Sequence, residues 1–232
     1  MATGTQGLVR GPVAGNPRVR WLALSGVLGP VVTGVTFTLA GFLRPGYSPV
    51  HQPISALGTG PLGWIVDSAG ILLGLCLTAF AVAFGVLMRG ALRPGARGVA
   101  VGCMLFDGLG TLTAGVFTSG PATVVLHTAG ATVSSVVSLV AYVVVGIGLR
   151  RQPSWRRWGT YSLVAAAGAA VLVLAGYALL MPRSPLHTLR LGGLLERGDV
   201  LWHYAWYAAF GLRIFLGAPG RQRTSRYAHG PG

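Results

Sequence analysis

The sequence predicts an all-α fold, a bundle of six transmembrane helices with both termini in the cytoplasm. Of its 232 residues, 52% are hydrophobic and only 9% are charged, whereas about 25% of residues are charged in soluble domains. The apolar residues form six long runs, each close to the roughly 20 residues that a helix needs to cross a bilayer. The arginines lie between alternate runs, which predicts the orientation.

The six predicted spans are rich in Leu, Val, Ala and Gly and cover about residues 21–43, 64–88, 98–118, 124–149, 158–181 and 200–217. The first run is longer than the roughly 7–15 residues of a signal-peptide core, which favours an uncleaved span. The runs are continuous rather than alternating, so strands of a barrel are excluded. His203 and Arg213 interrupt the last run and make it the weakest.

These spans define a predicted transmembrane domain over residues 21–217. Two tails flank it, residues 1–20 and 218–232, and both are rich in Gly, Pro and Arg with little apolar surface to bury. Such a composition is typical of mobile segments. We therefore expect one membrane domain and no further folded unit.

The arginines set the predicted topology. Fourteen of the eighteen lie in segments 1–20, 89–97, 150–157 and 213–226, and basic residues near span ends are retained in the cytoplasm. The absence of lysine is typical of a GC-rich bacterial genome, so we expect the bacterial plasma membrane. The net charge of +14 does not predict a nucleic-acid partner, because no basic domain holds the charges together. Membrane lipids, or a second membrane protein, are the expected partners.

All four acidic residues fall outside the predicted cytoplasmic segments. Counting about 1.5 Å per residue from the span ends, Asp67, His127 and His203 lie roughly one turn below the outer surface, and Asp107 lies near mid-membrane. A carboxylate at that depth costs about 2.5–3.5 kcal/mol, so Asp107 should face the bundle interior. It is either a proton or ligand site or an interhelical hydrogen bond that fixes the packing.

The polar residues near the outer surface offer several candidate sites. Asp67, His127 and His203 are candidate metal ligands, with zinc the metal considered. Each histidine also has a simple structural interpretation, because neither has a second histidine four residues on. Asp199 precedes His203 by four residues, so the two share one face of a helix, which predicts an Asp–His pair at the mouth of the bundle as a further candidate.

The segment "RPGYSPVHQPISALG", residues 44–58, forms the outer loop between the first two spans. Arg44 and His51 are candidate ligands for a lipid phosphate, and Ser55 is a candidate cap or catalytic residue. Glu196 and Arg197, just before the last span, either cap a helix or bind a ligand. The two long outer loops should together cover the bundle as a lid.

The blocks "RPGYSPVHQPISALGTGPLGW", "AGVFTSGPATVVLHTAGA" and "GLLERGDVLWHYAWYAAFGLRI" resemble the DUF998 family of bacterial six-span membrane proteins, whose activity is not established. The resemblance covers about residues 20–217. It implies six helices and points to His127, Ser55 and the Glu196–Arg197 pair as recurrent polar positions. Many members carry an acid soon after the phenylalanine of the second block, whereas here Phe117 precedes Thr-Ser-Gly.

A second, looser resemblance is to transmembrane hydrolases such as alkaline ceramidases, which combine serine, aspartate and histidine with zinc. Those enzymes have paired histidines in a late span, and here position 207 is a tyrosine.

Three function classes follow from these patterns. The first is a non-enzymatic bundle that binds or organises a lipid or a partner on its outer face. The second is an outward-facing, metal-dependent lipid hydrolase in which Asp67, His127 and His203 hold the ion and a bound water is activated. For an enzyme of any kind, the candidate catalytic residues are Asp107, His127 and Ser55. The third is a small transporter in which Asp107 couples transport to protons.

Overall fold

The computed structural model describes residues 17–117, 119–181, 184 and 188–217. Within them the chain is helical and contains no strand. Its α-helices are α1 (Pro17–Leu22), α2 (Ser25–Leu43), α3 (Gly63–Leu87), α4 (Pro94–Val116), α5 (Val124–Arg150), α6 (Arg156–Leu180) and α7 (Gly192–Leu216). The predicted all-α fold is confirmed.

Among the described residues, five stretches are long and apolar enough to cross a membrane: Pro17–Leu43, Gly63–Leu87, Pro94–Val116, Val124–Arg150 and Pro153–Leu179. Their outward faces carry many exposed Leu, Val and Phe side chains, as expected where lipid replaces water. The sixth long helix, α7, fails the same test, as the polar interruptions in its sequence predicted. It nevertheless packs against α2 and α6 within the bundle.

The helix boundaries correct two expectations. α1 begins at Pro17, inside the predicted N-terminal tail, and Arg20 donates a hydrogen bond to the carbonyl of Phe215 in α7. α7 begins at Gly192 rather than near residue 200, because its first turns bury polar side chains against protein instead of lipid. Residues 1–16 and 218–232 of the predicted tails lie outside the described residues.

The six long helices form a closed ring in which α2, α3, α4, α5, α6 and α7 each contact their neighbours in sequence, and α7 returns to α2. Glycines allow the closest approaches. A Cβ on Gly74 of α3 would lie 2.6 Å from the backbone nitrogen of Leu112 in α4, and one on Gly110 of α4 would lie 2.6 Å from the carbonyl oxygen of Gly130 in α5. Such close backbone packing is how helices associate in lipid, where no hydrophobic drive joins them.

The two ends of the ring differ. One end carries the connections from α3 to α4 and from α5 to α6, and is here called the arginine-rich end. Aromatic side chains fill the interior there, among them Phe80, Phe84, Trp206 and Phe210. At the opposite end, here called the lid end, the segment 44–62 folds over the ring and includes a short 3-10 turn, Ile54–Gly58. The interior beneath this segment is not filled.

Candidate functional site

A cavity of about 200 Å³ lies inside the lid half of the ring. All six long helices line it, together with the turn Ile54–Gly58, and its surface is mostly apolar with a minority of polar groups. The polar lining comes from three carboxyl groups (Asp67, Glu196 and Asp199), two imidazoles (His127 and His203) and the hydroxyl groups of Thr33, Thr36, Ser55, Thr111, Ser134, Ser135, Ser138 and Tyr204. Among the described residues, no arginine lines the cavity.

Two of the carboxyl groups form part of the cavity wall. Asp67 lies in the second turn of α3 and Asp199 in the third turn of α7, and both are partly buried. Neither accepts a hydrogen bond from any residue in the described part of the chain, and both line the cavity. A Cβ on Gly58 would lie 2.7 Å from an Asp67 carboxylate oxygen, so the lid passes directly over this group.

The fourth acid, Asp107 of α4, lies beneath the cavity and is fully buried. One carboxylate oxygen accepts hydrogen bonds from Ser134 Oγ at 2.5 Å and from Thr111 Oγ1 at 3.5 Å. The other accepts from Tyr207 OH at 2.7 Å and pairs with His203 Nε2 at 3.0 Å. This arrangement fits the packing interpretation of Asp107, since donors from α4 itself and from two other helices, α5 and α7, meet at one carboxylate.

His203 connects this buried group to the cavity. Its Nε2 faces Asp107, and its Nδ1 lies 2.5 Å from Tyr142 OH of α5. A carboxylate only accepts, so Nε2 carries a hydrogen, and in the neutral ring Nδ1 accepts from the tyrosine. The side chain is 16% exposed, on the cavity side. His203 is thus held at both nitrogens while one edge of its ring reaches the cavity.

His203 and Asp107 were predicted to lie at different depths, but the two side chains are in contact. Because α7 starts at Gly192, His203 lies about three turns into the helix, or roughly 16 Å along it, level with Asp107. The predicted pairing of Asp199 with His203 is also not formed as a hydrogen bond, since both ring nitrogens of His203 are occupied by Asp107 and Tyr142.

His127 lies at the rim of the cavity, near the start of α5. Its Nδ1 is 2.8 Å from the carbonyl oxygen of Ala114 and 2.9 Å from that of Phe117, so it closes the end of α4. The predicted metal set of Asp67, His127 and His203 is not assembled: among the described residues, no three His, Cys, Asp or Glu side chains lie close enough to share an ion. All three residues do line one cavity.

The lid, residues 44–62, is bound to the first turns of α7. Glu196 Oε2 accepts from the backbone N–H of Ile54 at 2.7 Å. Arg197 donates to the carbonyl oxygens of Pro49 at 2.9 Å and of Gln52 at 3.1 Å, and also to the hydroxyl of Tyr47. Glu196 and Arg197, predicted to cap a helix or bind a ligand, hold the lid in place.

The remaining ligand candidates also contact backbone of the lid region. Arg44 donates to the carbonyl oxygens of Ala56 and of Thr59, the latter at 2.9 Å. His51 Nδ1 lies 2.9 Å from the carbonyl oxygen of Arg190. Ser55 lines the cavity, and its carbonyl oxygen accepts from Ser119 Oγ at 2.6 Å.

The floor of the cavity is the group Asp107, Ser134, Tyr142, His203 and Tyr207. Three of these residues were not singled out in the sequence: Ser134, Tyr142 and Tyr207. A signal for them exists, because polar residues recur every four positions along one helix face. Ser134, Ser138 and Tyr142 follow this spacing on α5, and His203 and Tyr207 follow it on α7. In an otherwise apolar span, such a stripe indicates a face turned away from lipid.

The chain matches, over residues 27–213, the model of a family described as "Protein of unknown function (DUF998)". It belongs to the DUF998 family. The match confirms the resemblance seen in the three sequence blocks and extends over nearly the whole helical ring of this DUF998 protein. A search of curated proteins and a search of solved structures each found no match.

Proposed function

We propose that this DUF998 protein binds a membrane amphiphile, with the amphiphile's head group in the cavity at the lid end. The observation that carries the proposal is the lining: a mostly apolar chamber inside a membrane bundle that also presents two carboxyl groups, Asp67 and Asp199, with no hydrogen-bond partner among the described residues. Both side chains are only partly buried, and they line the cavity. A ligand that supplies donors can therefore bind them without displacing a protein group.

The lining also selects the head group. Phosphate and carboxylate groups are bound in proteins by arginine, lysine or helix N-termini, and no arginine of the described chain lines the cavity. Carboxyl and hydroxyl groups instead bind ammonium groups and sugar-like hydroxyls. We therefore propose a head group that is an ammonium or a polyol, without a phosphate next to it.

The topology completes the proposal. The arginine distribution supports cytoplasmic termini, which would place the lid and the cavity in the outer half of a bacterial plasma membrane. The protein would then hold its ligand at the face away from the cytoplasm, as a binding or organising protein rather than as an enzyme.

The test compares two amphiphiles that differ only in the head group, hexadecylamine and hexadecanoic acid, by native mass spectrometry of the detergent-purified protein. We expect the amine to be retained and the acid not. The double variant Asp67→Asn/Asp199→Asn should lose the amine, whereas Arg190→Gln, a charge change outside the cavity, should retain it. Equal retention of acid and amine, or full retention by the double variant, contradicts the proposal.

A second candidate function is proton-coupled transport. The observation that favours it is the His203–Asp107 pair, which links the cavity floor to a fully buried carboxyl group. Proteoliposomes that contain the dye pyranine measure the decay of an imposed pH gradient. If the protein transports protons, the pH gradient should decay faster with the wild-type protein than in liposomes without it. With Asp107→Asn the decay should be no faster than in liposomes without protein. The metal-dependent hydrolase has less support, because no set of three ligands is assembled among the described residues.

A further inference from the structure

We infer that the amphiphile enters the cavity sideways from the membrane, through the seam between the lid halves of α5 and α6, and that its hydrocarbon chain stays in that seam. This inference rests on the proposed function and goes beyond it, because it assigns the ligand to the lipid phase rather than to water and names the entry path.

The route through the lid is held shut. Six hydrogen bonds between described residues bind the lid to α7 or to the chain before it. They are Ile54 N–H to Glu196, Leu194 N–H to Val50 O at 3.0 Å, His51 to Arg190 O, and three donated by Arg197, to Pro49 O, Gln52 O and the Tyr47 hydroxyl. Gly193 lies so close to the lid that a Cβ there would be 2.2 Å from the carbonyl oxygen of Gln52. Opening this route would break all of these contacts together.

Five of the six seams of the ring are joined in their lid halves by a side-chain or glycine contact. The contacts are Thr33 to Ala69 O at 2.9 Å (α2–α3), Gly70 to Gly115 (α3–α4), His127 to Ala114 O (α4–α5), Gly198 to Leu172 (α6–α7) and Phe37 to Tyr204 (α7–α2).

The seam between α5 and α6 is different. Among the described residues, the close glycine approaches between α5 and α6 lie at the arginine-rich end, where a Cβ on Gly146 would lie 2.7 Å from Leu163 side-chain atoms. In the lid half, Ala131 of α5 lines the cavity and is also exposed, as an opening of the cavity toward the outer surface of the bundle requires. On the opposite side, Ala169 of α6 lines the cavity as well, and nothing lies within 4 Å of a Cβ placed on Gly176.

The chemistry of this opening fits a lipid chain. The described residues at its edges, Ala131, Ala169 and Gly176, have small, uncharged side chains or none. The faces of α5 and α6 beside it are apolar, with Val171 65% and Leu174 68% exposed. At this depth the neighbouring molecules are lipid chains rather than water. A ligand that enters here can leave its chain between the helices while its head group reaches Asp199 and Asp67.

The test uses a hexadecylamine with a diazirine in its chain, incorporated into phosphatidylcholine nanodiscs, and locates the photoadducts by mass spectrometry. We expect adducts on residues 131–135 and 169–176. Ala131→Trp, which fills the seam, should reduce labelling about tenfold, a change of about 1.4 kcal/mol. Ala129→Trp is the matched control, because Ala129 is exposed on the same helix but does not line the cavity. Ala131→Leu should give a smaller loss and covers the case in which the tryptophan variant does not fold.

A disulfide that holds the lid closed distinguishes entry through the lid from entry between α5 and α6. Val50→Cys with Leu194→Cys joins two positions whose backbones are hydrogen-bonded. Sideways entry predicts the same labelling with the disulfide formed or reduced, whereas entry through the lid predicts loss when it is formed. Labelling that is unaffected by Ala131→Trp, or lost in the locked lid, overturns the inference. In both outcomes, retention of hexadecylamine that depends on Asp67 and Asp199 still supports the proposed function. If the wild-type protein retains no amine, both fail.

Discussion

The floor and the wall of the cavity use the same residue type in opposite ways. At the floor, Asp107 is fully buried and its two oxygens meet four donors from α4, α5 and α7. On the wall, Asp67 and Asp199 are partly exposed to the cavity and accept no hydrogen bond from any described residue. The first carboxyl group holds the protein together, and the other two remain able to bind something else.

This difference shows why burial alone does not identify a binding residue. A carboxylate accepts about four hydrogen bonds. Asp107 already accepts three short ones, from Ser134, His203 and Tyr207, and Thr111 lies at 3.5 Å, so a ligand would have to displace protein to bind it. Glu196 is intermediate, because one oxygen binds the lid while its side chain still lines the cavity. Ligand binding is therefore expected at the wall, with the floor as its support.

The largest expected effect is at the floor. Asp107→Ala removes the common partner of His203, Tyr207 and Ser134 and should lower the free energy of unfolding by about 3–5 kcal/mol, the cost of breaking a buried pair. Thermal unfolding in detergent, followed by circular dichroism, measures it. Asp107→Asn, which keeps one accepting oxygen, should lose less. Wild-type stability in the alanine variant would show that the network does not hold the helices together.

The next effect is at the lid. Glu196→Ala leaves the amide of Ile54 without its acceptor, and we expect hydrogen exchange at residues 47–58 to accelerate about tenfold, in line with the roughly 1–3 kcal/mol of a lost buried partner. Arg190→Ala is the matched control, because His51 contacts only the backbone oxygen of that residue. Equal exchange in the two variants would mean that Glu196 does not hold the lid.

A smaller effect is expected when the floor loses one donor. Ser134→Ala removes the 2.5 Å hydrogen bond to Asp107 and should cost about 0.6 kcal/mol, the average for a hydrogen bond between membrane helices. Ser135→Ala changes the neighbouring hydroxyl, which lines the cavity without contacting Asp107, and should have less effect. The two variants are compared by unfolding in the same detergent.

The smallest effect on stability is expected at the wall. Asp67→Asn and Asp199→Asn remove no hydrogen bond within the described chain, so each should change the free energy of unfolding by no more than about 0.5 kcal/mol. Ligand retention, in contrast, should fall. A wall variant as unstable as Asp107→Ala would remove the distinction between floor and wall.

Most of the fold could be predicted from the sequence because long apolar runs have one stable solution in lipid. The helices from α2 to α6 begin and end within a few residues of the predicted spans. α7 was predicted too short because the mean hydropathy of a segment does not show whether its polar side chains face the lipid or the interior of the bundle. Glu196, Asp199 and His203 recur at intervals of three and four residues and turn toward the cavity, so α7 continues as a helix through a segment that looks like a loop.

The candidate site was predicted only in part. Asp67, His127 and His203 were expected near one surface and do line one cavity. The contact between His203 and Asp107 joins residues 96 positions apart, and no local spacing encodes it. The depth estimate failed for the same helix whose start was misplaced, and this error hid the floor of the cavity.

The position of α7 has one more consequence. Glu196 grips the lid and His203 grips Asp107, and the two lie seven residues apart on one face of a continuous helix, about 10 Å along its axis. A helix is stiff over two turns, so α7 couples the lid mechanically to the floor of the cavity. A rotation of α7 that releases the lid therefore also displaces His203 at the floor. The lid and the floor must respond to a bound molecule together.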